Sequence, residues 1–224
     1  MSKPHYTGHR ARLRKRLLDS RSGSLPDYEI LEVILFAGNL RSDTKPLAKQ
    51  LISQFGSLAD VLTAKAEDLL LINGMNDTQV ANIRAVQEAG IRLAKSKIND
   101  VPIFNNGQAV IDYCMSTIGH KQTEHFCVLY LDSKNQLLAD DVHDHGTVNK
   151  ISIFPREIVR RALSLHASSI ILAHNHPSGD PTPSSADITL TKAIKAACQL
   201  LDITLHDHVI VSPVNAISMQ ACLQ

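Results

Sequence analysis

The sequence predicts an α/β protein in two parts, an all-helical domain over residues 1–100 and an α/β domain over residues 101–224. Apolar residues recur with the helical period in the first part, whereas strand-like runs alternate with helices in the second. The formal net charge changes sign at the same point. Residues 1–100 carry 15 basic and 11 acidic side chains, whereas residues 101–224 carry 8 basic and 11 acidic side chains. Nine of the eleven histidines lie in the second part, which suggests that the two domains do different work.

The helices of the first domain are predicted from the residues that begin and end them. Pro26 opens an apolar run that Gly38 ends, and Asp43 is suited to cap the next helix, which Gly56 ends. The predicted helical segments are DYEILEVILF, the run through Leu47, Leu51, Ile52 and Phe55, SLADVLTA, AEDLLLI, and a long helix from Asp77 to about Lys97. The turn Asn73-Gly74-Met75-Asn76 precedes the last of them.

The second domain is predicted to alternate strands with helices. In chain order the segments are a helix of about residues 107–118, the strand FCVLYLD, a turn at Ser133-Lys134-Asn135, the extended run QLLADDVHD, a helix from Pro155, the strand SSIILA, a loop with three prolines, a helix of about residues 184–201, and the strand TLHDHVIVS. This alternation is typical of an α/β domain.

The composition excludes several classes of protein. Of the 224 residues, 44% are apolar and 20% charged, which excludes wholesale disorder. No apolar run approaches the ~18 residues of a membrane span, and the basic N-terminal residues leave no stretch for a secretory signal, so we expect a cytoplasmic protein with no membrane partner. The four cysteines include no Cys-x-x-Cys pair, which argues against a zinc ribbon or a thioredoxin-type motif, and we expect them to be reduced and mostly buried.

The segment HNHPSGDPTPSSAD, residues 174–187, is the most informative in the chain. It follows a predicted strand, where residues two apart point to the same side, so His174 and His176 can direct their imidazoles to one point. Ser184 is suited to cap the following helix, which places Asp187 in its first turn. Two His and one Asp around zinc leave the fourth tetrahedral position for water, as in catalytic sites, and zinc lowers the pKa of that water toward ~7. The alternative is that the histidines are ordinary loop residues and that Asp187 only interacts with the helix dipole.

The spacing in this segment resembles the JAMM, or MPN-type, metalloprotease motif His-x-His-x7-Ser-x2-Asp, with no departure at those positions. The resemblance favours one zinc ion per chain, bound by His174, His176 and Asp187. Two other classes of zinc enzyme are excluded. The chain has no His-Glu-x-x-His motif of the helical zinc metalloproteases and no Pro-Cys-x-x-Cys motif of the zinc deaminases. The tripeptide His-Asn-His is not an HNH nuclease motif either, since the letters of that motif come from separated positions.

A metal hydrolase also needs a base that is not a ligand, and the second domain contains two glutamates, Glu124 and Glu157. Glu157 stands at a predicted helix start, where a dipole or capping role explains it. Glu124 precedes the strand FCVLYLD, where the JAMM family carries its catalytic Glu, so we expect it to be the base; an exposed charge at a strand end is the alternative. Ser184 would donate a hydrogen bond to the oxyanion, a role worth about 3 kcal/mol in comparable sites and compatible with helix capping.

The wider sequence looks like the bacterial RadC family of JAMM-domain proteins. The likeness lies in HNHPSGDPTPSSAD, GTVN, FPREIVRRAL and the later Asp207-His208, and it covers nearly the whole second domain. It implies a JAMM/MPN-type mixed sheet flanked by helices. Family members are treated as zinc metallopeptidases because of the motif, and an older association with DNA repair gave the name. Asp207 and His208 are either partners that orient a ligand imidazole or satisfied structural residues. Weaker candidates are His143, His145, His166 and His206.

The first domain resembles, more loosely, the helix-hairpin-helix region that many RadC-like proteins carry. Such hairpins hold a phosphate with backbone N–H groups and a helix N-terminus. Gly74 fits the first glycine of that pattern, but Asn76 replaces the second glycine and Asp77 adds a negative charge. The basic cluster, an adequate electrostatic footprint for DNA, consists of Arg10, Arg12, Arg14, Lys15 and Arg16. DNA binding and a structural or protein-docking role both stay open for this domain.

Together these features predict a zinc-dependent metallopeptidase that hydrolyses amide or isopeptide bonds in an unidentified polypeptide. Zinc activates water, Glu124 accepts its proton and returns it to the leaving amine, and Ser184 steadies the oxyanion. One alternative is a DNA repair or recombination factor whose metal domain is a scaffold or hydrolyses phosphoesters. The other is an interaction module without catalytic activity, which the intact motif argues against.

Overall fold

A computed structural model describes residues 8–19, 23–39, 42–99, 102–103, 107–144 and 154–222. The chain divides into two compact units, Met1–Ala89 and Gly90–Gln224. The division falls inside a long helix, ahead of the boundary expected near residue 100, because the last turns of that helix pack with the second unit. Among the described residues, no helix has both the length and the apolar character of a membrane span.

The first unit is helical throughout its described residues, as the sequence predicts. Its helices are α1 (His9–Asp19), α2 (Asp27–Leu35), α3 (Lys45–Phe55), α4 (Leu58–Thr63), α5 (Ala66–Leu70) and most of α6 (Asp77–Ser96), with a 3-10 turn at Phe36–Gly38. Leu31, Leu51 and Ile83, from three of these helices, are fully buried in one apolar cluster. Burial of the apolar face of each helix against the others therefore stabilises this unit.

The ends of these helices follow the signals in the sequence. Gly56 adopts a left-handed φ of 109° directly after α3, a conformation that strains residues with a side chain. Ser57 then caps α4 by accepting a hydrogen bond from a backbone N–H of its first turn. Thr44, rather than Asp43, is the residue directly before α3, and the Asp43 carboxylate accepts the N–H of Lys45 at 3.0 Å.

The second unit is built on a five-stranded mixed sheet in the order β2-β1-β3-β4-β5. The strands are β1 (His125–Leu131), β2 (Leu137–Asp144), β3 (Ser169–Asn175), β4 (Thr204–Val211) and β5 (Ala216–Ser218). β3 and β4 run parallel, and the other neighbouring pairs run antiparallel. β5 is missing from the sequence prediction, because three residues are too few to show an alternating pattern.

Helices cover both faces of this sheet. α7 (Gly107–Cys114), a π-helical turn (Met115–Gly119) and the end of α6 cover one face, and α8 (Pro155–Ser164) and α9 (Ser185–Gln199) cover the other. β1 is buried along its whole length, with Cys127 and Leu129 facing the first layer and Phe126 and Val128 facing the second. A strand buried on both faces is apolar at every position, which explains the continuous run FCVLYL. The predicted mixed sheet with flanking helices is confirmed.

Three of the four cysteines lie in the interior of this unit. Cys114, Cys127 and Cys198 are buried free thiols, as expected, whereas the side chain of Cys222 lies outside the described residues. Burial raises the pKa of Cys114 to about 12 and that of Cys198 to about 11. These thiols therefore behave as apolar core side chains and not as nucleophiles.

An irregularity in β4 decides which way its central residues point. Leu205 and Asp207 pair with consecutive residues of β3, so His206 is one extra residue, a β-bulge. Side chains three positions apart in a regular strand lie on opposite faces, but the bulge brings Leu205 and His208 to the same face. That face is the one beneath α9, where Leu205 joins the apolar core and His208 meets polar partners.

Candidate metal centre

Three side chains that the sequence singles out converge at one end of the sheet. His174 is the buried next-to-last residue of β3, His176 directly follows the strand, and Asp187 lies in the first turn of α9. The two Nε2 atoms are 3.0 Å apart. The Asp187 carboxylate oxygens lie 3.3 Å from Nε2 of His174 and 3.4 Å from Nε2 of His176. Among the described residues, these are grouped closely enough to hold one metal ion.

The backbone explains why His176 joins His174 on one side of the chain. The N–H of His176 donates to the carbonyl of Val211 at 2.9 Å, so the pairing between β3 and β4 continues one residue beyond β3. Nδ1 of the His176 ring lies 2.8 Å from the carbonyl oxygen of Asp180. Because a carbonyl only accepts, Nδ1 carries the hydrogen and Nε2 keeps its lone pair.

A buried chain of hydrogen bonds fixes the other imidazole. Thr191 donates its hydroxyl hydrogen to the carbonyl of Asp187 at 2.6 Å, so its oxygen accepts from Nδ1–H of His208, also at 2.6 Å. Nε2 of His208 then has a lone pair and accepts from Nδ1–H of His174 at 2.8 Å. The tautomer of His174 follows: its Nε2 is left without hydrogen and faces the centre.

The environment of His208 keeps that ring neutral, as this chain of hydrogen bonds requires. His208 is fully buried, and the ring of Phe126 packs against its edge at 5.5 Å. Burial lowers the pKa of His208 to about 3. The sequence raised His208 as a partner for a ligand imidazole, and the structure places it in direct contact with His174.

Sequence reasoning overlooked Thr191, the residue at the far end of the chain of hydrogen bonds. It follows Asp187 by four positions on α9, a spacing that puts two side chains on the same helix face. Helical spacing counted from the predicted ligand was therefore a signal that could have found it.

Ser184 and Asp187 cap the start of α9 reciprocally. The Ser184 hydroxyl accepts the N–H of Asp187 at 3.2 Å and donates its hydrogen to Oδ2 of that residue at 2.6 Å. Burial alone would raise the pKa of Asp187, but the hydrogen bonds from the hydroxyl and the backbone N–H of Ser184 favour the ionised form, and the pKa lies below its ordinary value. The carboxylate is therefore ionised and held in place by the cap.

The donor set fits a divalent cation. The two Nε2 atoms both present lone pairs, and the Asp187 carboxylate is anionic, so three acceptors face one another with no hydrogen between them. Such a cluster is repulsive until a cation enters it. Two imidazoles and one carboxylate are a donor set that open zinc sites use, although imidazole also suits other transition metals.

Glu124 lies directly before β1, on the exposed segment 121–124. Phe126 pairs with His174 in the antiparallel ladder, and their rings stack at a centroid distance of 6.2 Å. If this antiparallel register continued beyond the two strand ends, Glu124, two residues before Phe126, would come opposite His176, two residues after His174. The register therefore favours a place for Glu124 near the cluster, and its role as the base stays a prediction.

Asp207 and Glu157 serve local structure. The Asp207 carboxylate accepts from Ser218 Oγ at 2.7 Å and from the N–H of His208 at 2.7 Å, which ties β5 to β4. Burial raises the pKa of Asp207. Glu157 lies in the first turn of α8 and pairs with Arg160 at 2.8 Å, in agreement with the helix-start explanation.

The weaker histidine candidates are placed apart from the three converging side chains. Nε2 of His206 lies 3.0 Å from the side-chain oxygen of Asn135. His166 takes a left-handed φ of 54° just after α8, and His143 is exposed on β2. His145 and the GTVN segment lie outside the described residues.

In the first unit, the turn that resembles a phosphate-binding hairpin is closed by its own side chains. Gly74 has the positive φ, 95°, that such a turn needs. Asn76 and Gln79 each accept the other's backbone N–H at 3.1 Å, which caps α6. The Asn76 amide also donates to the carbonyl of Gly38 at 2.8 Å. The backbone N–H groups of Asn76 and Gln79 are thus already hydrogen-bonded within the turn and not available to a phosphate.

The basic cluster on α1 is largely engaged within the same unit. Arg10 donates to the carbonyls of Asn39 and Ser42, and the guanidinium groups of Arg10 and Arg14 lie 4.9 and 5.4 Å from the centre of the Phe36 ring. Arg16 pairs with the buried carboxylate of Glu29 at 2.9 Å, and His9 contacts the buried Glu32 at 2.8 Å. A cleft of about 450 Å³ beside α1 is lined by Arg12, Lys15, Arg16, Asp19, Ser24 and Leu25.

Two family models match separate ranges of the chain. Residues 104–223 match the family model described as RadC-like JAB domain, and residues 7–81 match the model described as UPF0758 N-terminal. A UPF0758 protein of Ruegeria pomeroyi is 43% identical over 213 residues, which cover 95% of this chain and 95% of the relative. A UPF0758 protein of Rhodobacter capsulatus is 44% identical over 209 residues, covering 93% of this chain and 98% of the relative. The names of these relatives state no activity.

Proposed function

Because the chain belongs to the family that carries a RadC-like JAB domain, we propose that it is a zinc-dependent hydrolase of amide or isopeptide bonds in a polypeptide substrate. The observation that supports this most directly is the convergence of His174, His176 and Asp187, with both imidazoles held in the tautomer that presents Nε2. These three residues would hold the ion. When bound, zinc would lower the pKa of a water molecule and polarise the scissile carbonyl.

Glu124 is proposed as the general base. Glu124 is exposed and stands two residues before Phe126, which pairs with His174, so its carboxylate would be accessible to both water and substrate. It would accept a proton from the attacking water and return it to the leaving amine. No second glutamate of this unit competes for the role, because Glu157 is paired with Arg160 on α8.

Ser184 is proposed to donate to the oxyanion that develops on the substrate. In this structure its hydroxyl hydrogen points to the Asp187 carboxylate. Donation to the substrate therefore requires the hydroxyl to rotate away from Asp187, while the backbone N–H of Ser184 keeps its own hydrogen bond to the same carboxylate oxygen at 2.8 Å.

Metal content and substrate cleavage test the proposal in turn. The purified protein should bind one zinc ion per chain, His176→Ala should lose it, and His143→Ala, an exposed histidine on β2, should retain it. The zinc-loaded protein is then assayed against libraries of peptides and of lysine-linked isopeptides. Cleavage that survives chelation, or that Glu124→Gln leaves at full rate, would contradict the mechanism. A wild-type protein that takes up no zinc would contradict the proposal as a whole.

A function in DNA repair or recombination is the second candidate. The cleft lined by Arg12, Lys15 and Arg16 supports it, whereas the engagement of Arg16 with Glu29 and the closed hairpin weaken it. The test is the binding of a fluorescent DNA duplex over a range of salt concentrations. Phosphate contacts predict binding that falls steeply with salt and weakens in Arg12→Gln and Lys15→Gln. Binding that is absent, or indifferent to these changes, would exclude this function for the cleft.

A further inference from the structure

The residue between the two predicted histidine ligands, Asn175, is fully buried. Strand alternation turns its side chain to the face opposite the imidazole of His174, so it does not point at the metal centre. Its amide makes three hydrogen bonds to one backbone segment. Oδ1 accepts from the N–H of His125 at 2.6 Å, and Nδ2 donates to the carbonyls of Lys121 and Thr123, at 3.1 Å each.

That segment carries Glu124, the proposed base. The peptide groups on both sides of Glu124 are tied to the same amide, through the carbonyl of Thr123 and the N–H of His125. The segment otherwise has no regular secondary structure and is exposed at residues 121–124. The His125 ring adds one more tie, because its Nδ1 lies 2.8 Å from the Thr123 carbonyl.

We propose that Asn175 is a positioning residue that sets the place of Glu124 relative to His174 and His176. The inference rests on the proposed function. The two histidine ligands and the amide belong to three consecutive residues at one strand end, so the end of β3 fixes both the imidazoles and the segment that carries Glu124. A displacement of about 1 Å in a catalytic group can cost 10²-fold in rate, which is why such a frame matters.

The chemistry requires an amide of this length. The residue at this position has to accept from one N–H and donate to two carbonyls, and of the side chains of this size only asparagine does both. Aspartate keeps the acceptor but brings a carboxylate oxygen against the carbonyls of Lys121 and Thr123. Serine is too short to reach both sides of Glu124. Either change should release the segment while leaving the three predicted ligands in place.

The test uses the full chain loaded with Co²⁺, whose visible absorption reports the surroundings of the ion. The measured quantities are the Co²⁺ stoichiometry and the midpoint of the pH-dependent change in that absorption. Glu124→Gln removes a nearby charge and should move the midpoint by about half a pH unit or more. Asn175→Asp and Asn175→Ser should bind one Co²⁺ and move the midpoint as well, and adding Glu124→Gln to either should move it no further. A merely structural role predicts independent, additive effects.

Asn135→Asp is the matched control. It makes the same change in an amide at the other end of β1, where the Asn135 oxygen contacts Ser169 and His206, and it should leave the midpoint unchanged. Hydrogen exchange gives a second readout that needs no metal: the amide of His125 should exchange slowly in wild type and rapidly in Asn175→Ser.

The outcomes distinguish failure of the proposed hydrolase function from failure of the proposed role of Asn175. No Co²⁺ uptake by the wild type would overturn the proposed function and this inference with it. Normal uptake, a shifted midpoint in Glu124→Gln and a wild-type midpoint in both Asn175 variants would overturn the inference alone. An unchanged midpoint in Glu124→Gln would also overturn the inference, because Glu124 would then not lie near the ion. Loss of Co²⁺ binding in both folded Asn175 variants would overturn it too, because the amide would then support the ligands rather than Glu124.

Discussion

The chain of hydrogen bonds behind His174 makes a quantitative prediction for Thr191→Val. Valine has nearly the shape of threonine, but it lacks the hydroxyl that accepts from His208 at 2.6 Å and donates to the Asp187 carbonyl at 2.6 Å. Nδ1–H of His208 is then buried without an acceptor, which costs about 1–3 kcal/mol. His208 escapes that cost by moving its hydrogen to Nε2, but His174 then has to carry its own hydrogen on Nε2, the atom that faces the centre.

Both responses weaken metal binding. Loss of a residue that orients a ligand histidine lowers metal affinity by about 10- to 100-fold, equivalent to about 1.4–2.8 kcal/mol, and we expect Thr191→Val to fall in this range. Zinc affinity is measured by competition with a chromogenic chelator. Thr191→Ser keeps the hydroxyl and should bind zinc nearly as wild type does. Thr189→Val is the control on the same helix, because the exposed Thr189 hydroxyl donates to the carbonyl of Ser185 within that helix.

One result would refute the reasoning about tautomers. If Thr191→Val is folded, as judged by circular dichroism, and binds zinc as tightly as wild type, then His174 presents Nε2 without help from Thr191 and His208. A loss of affinity shared equally by Thr189→Val would point to a general effect on α9 instead.

Three further changes test the packing. Arg16→Gln leaves the buried Glu29 carboxylate without its cation and should lower the free energy of unfolding in urea by about 1–2 kcal/mol; an unchanged midpoint would show that the pair contributes nothing. In Gly38→Ala the new Cβ would lie 2.2 Å from a side-chain carbon of α6, so we expect a loss of about 1–3 kcal/mol, whereas Gly90→Ala meets open space and should not destabilise. Burial raises the pKa of Cys198 to about 11, so the unfolded state ionises first and stability should fall as the pH rises above about 8.5. Cys198→Ala should make the fall in melting temperature between about pH 9 and 11 shallower without abolishing it, because the buried Cys114 and Cys127 contribute in the same direction.

The candidate metal centre could be predicted from the sequence because local geometry fixes where its three side chains lie. Two histidines on either side of one strand residue share a side, and a carboxylate three residues after a helix cap lies in the first turn. The structure brings His174, His176 and Asp187 together as this spacing implies, and the family and the mixed sheet are confirmed. The roles of the three ligands, and of Glu124 and Ser184, stay predictions.

Other features depend on contacts between distant positions. His208 meets His174 across 34 positions, and strict alternation counted from Leu205 would turn it to the wrong face. The number of cations on α1 likewise does not reveal that Glu29 and Glu32 are buried on α2. Those carboxylates need polar partners nearby, and α1 supplies Arg16 and His9.

The bulge at His206 gives β4 one residue more than regular pairing with β3 requires. Deleting His206 would leave Leu205 and His208 two positions apart, so both side chains would still lie on the face beneath α9 and both residues would keep their partners on β3. The contact between His208 and His174 therefore depends on the pairing of His208 with Leu172 and not on the extra residue. Natural variation among related chains should tolerate both substitution and loss of the residue at position 206.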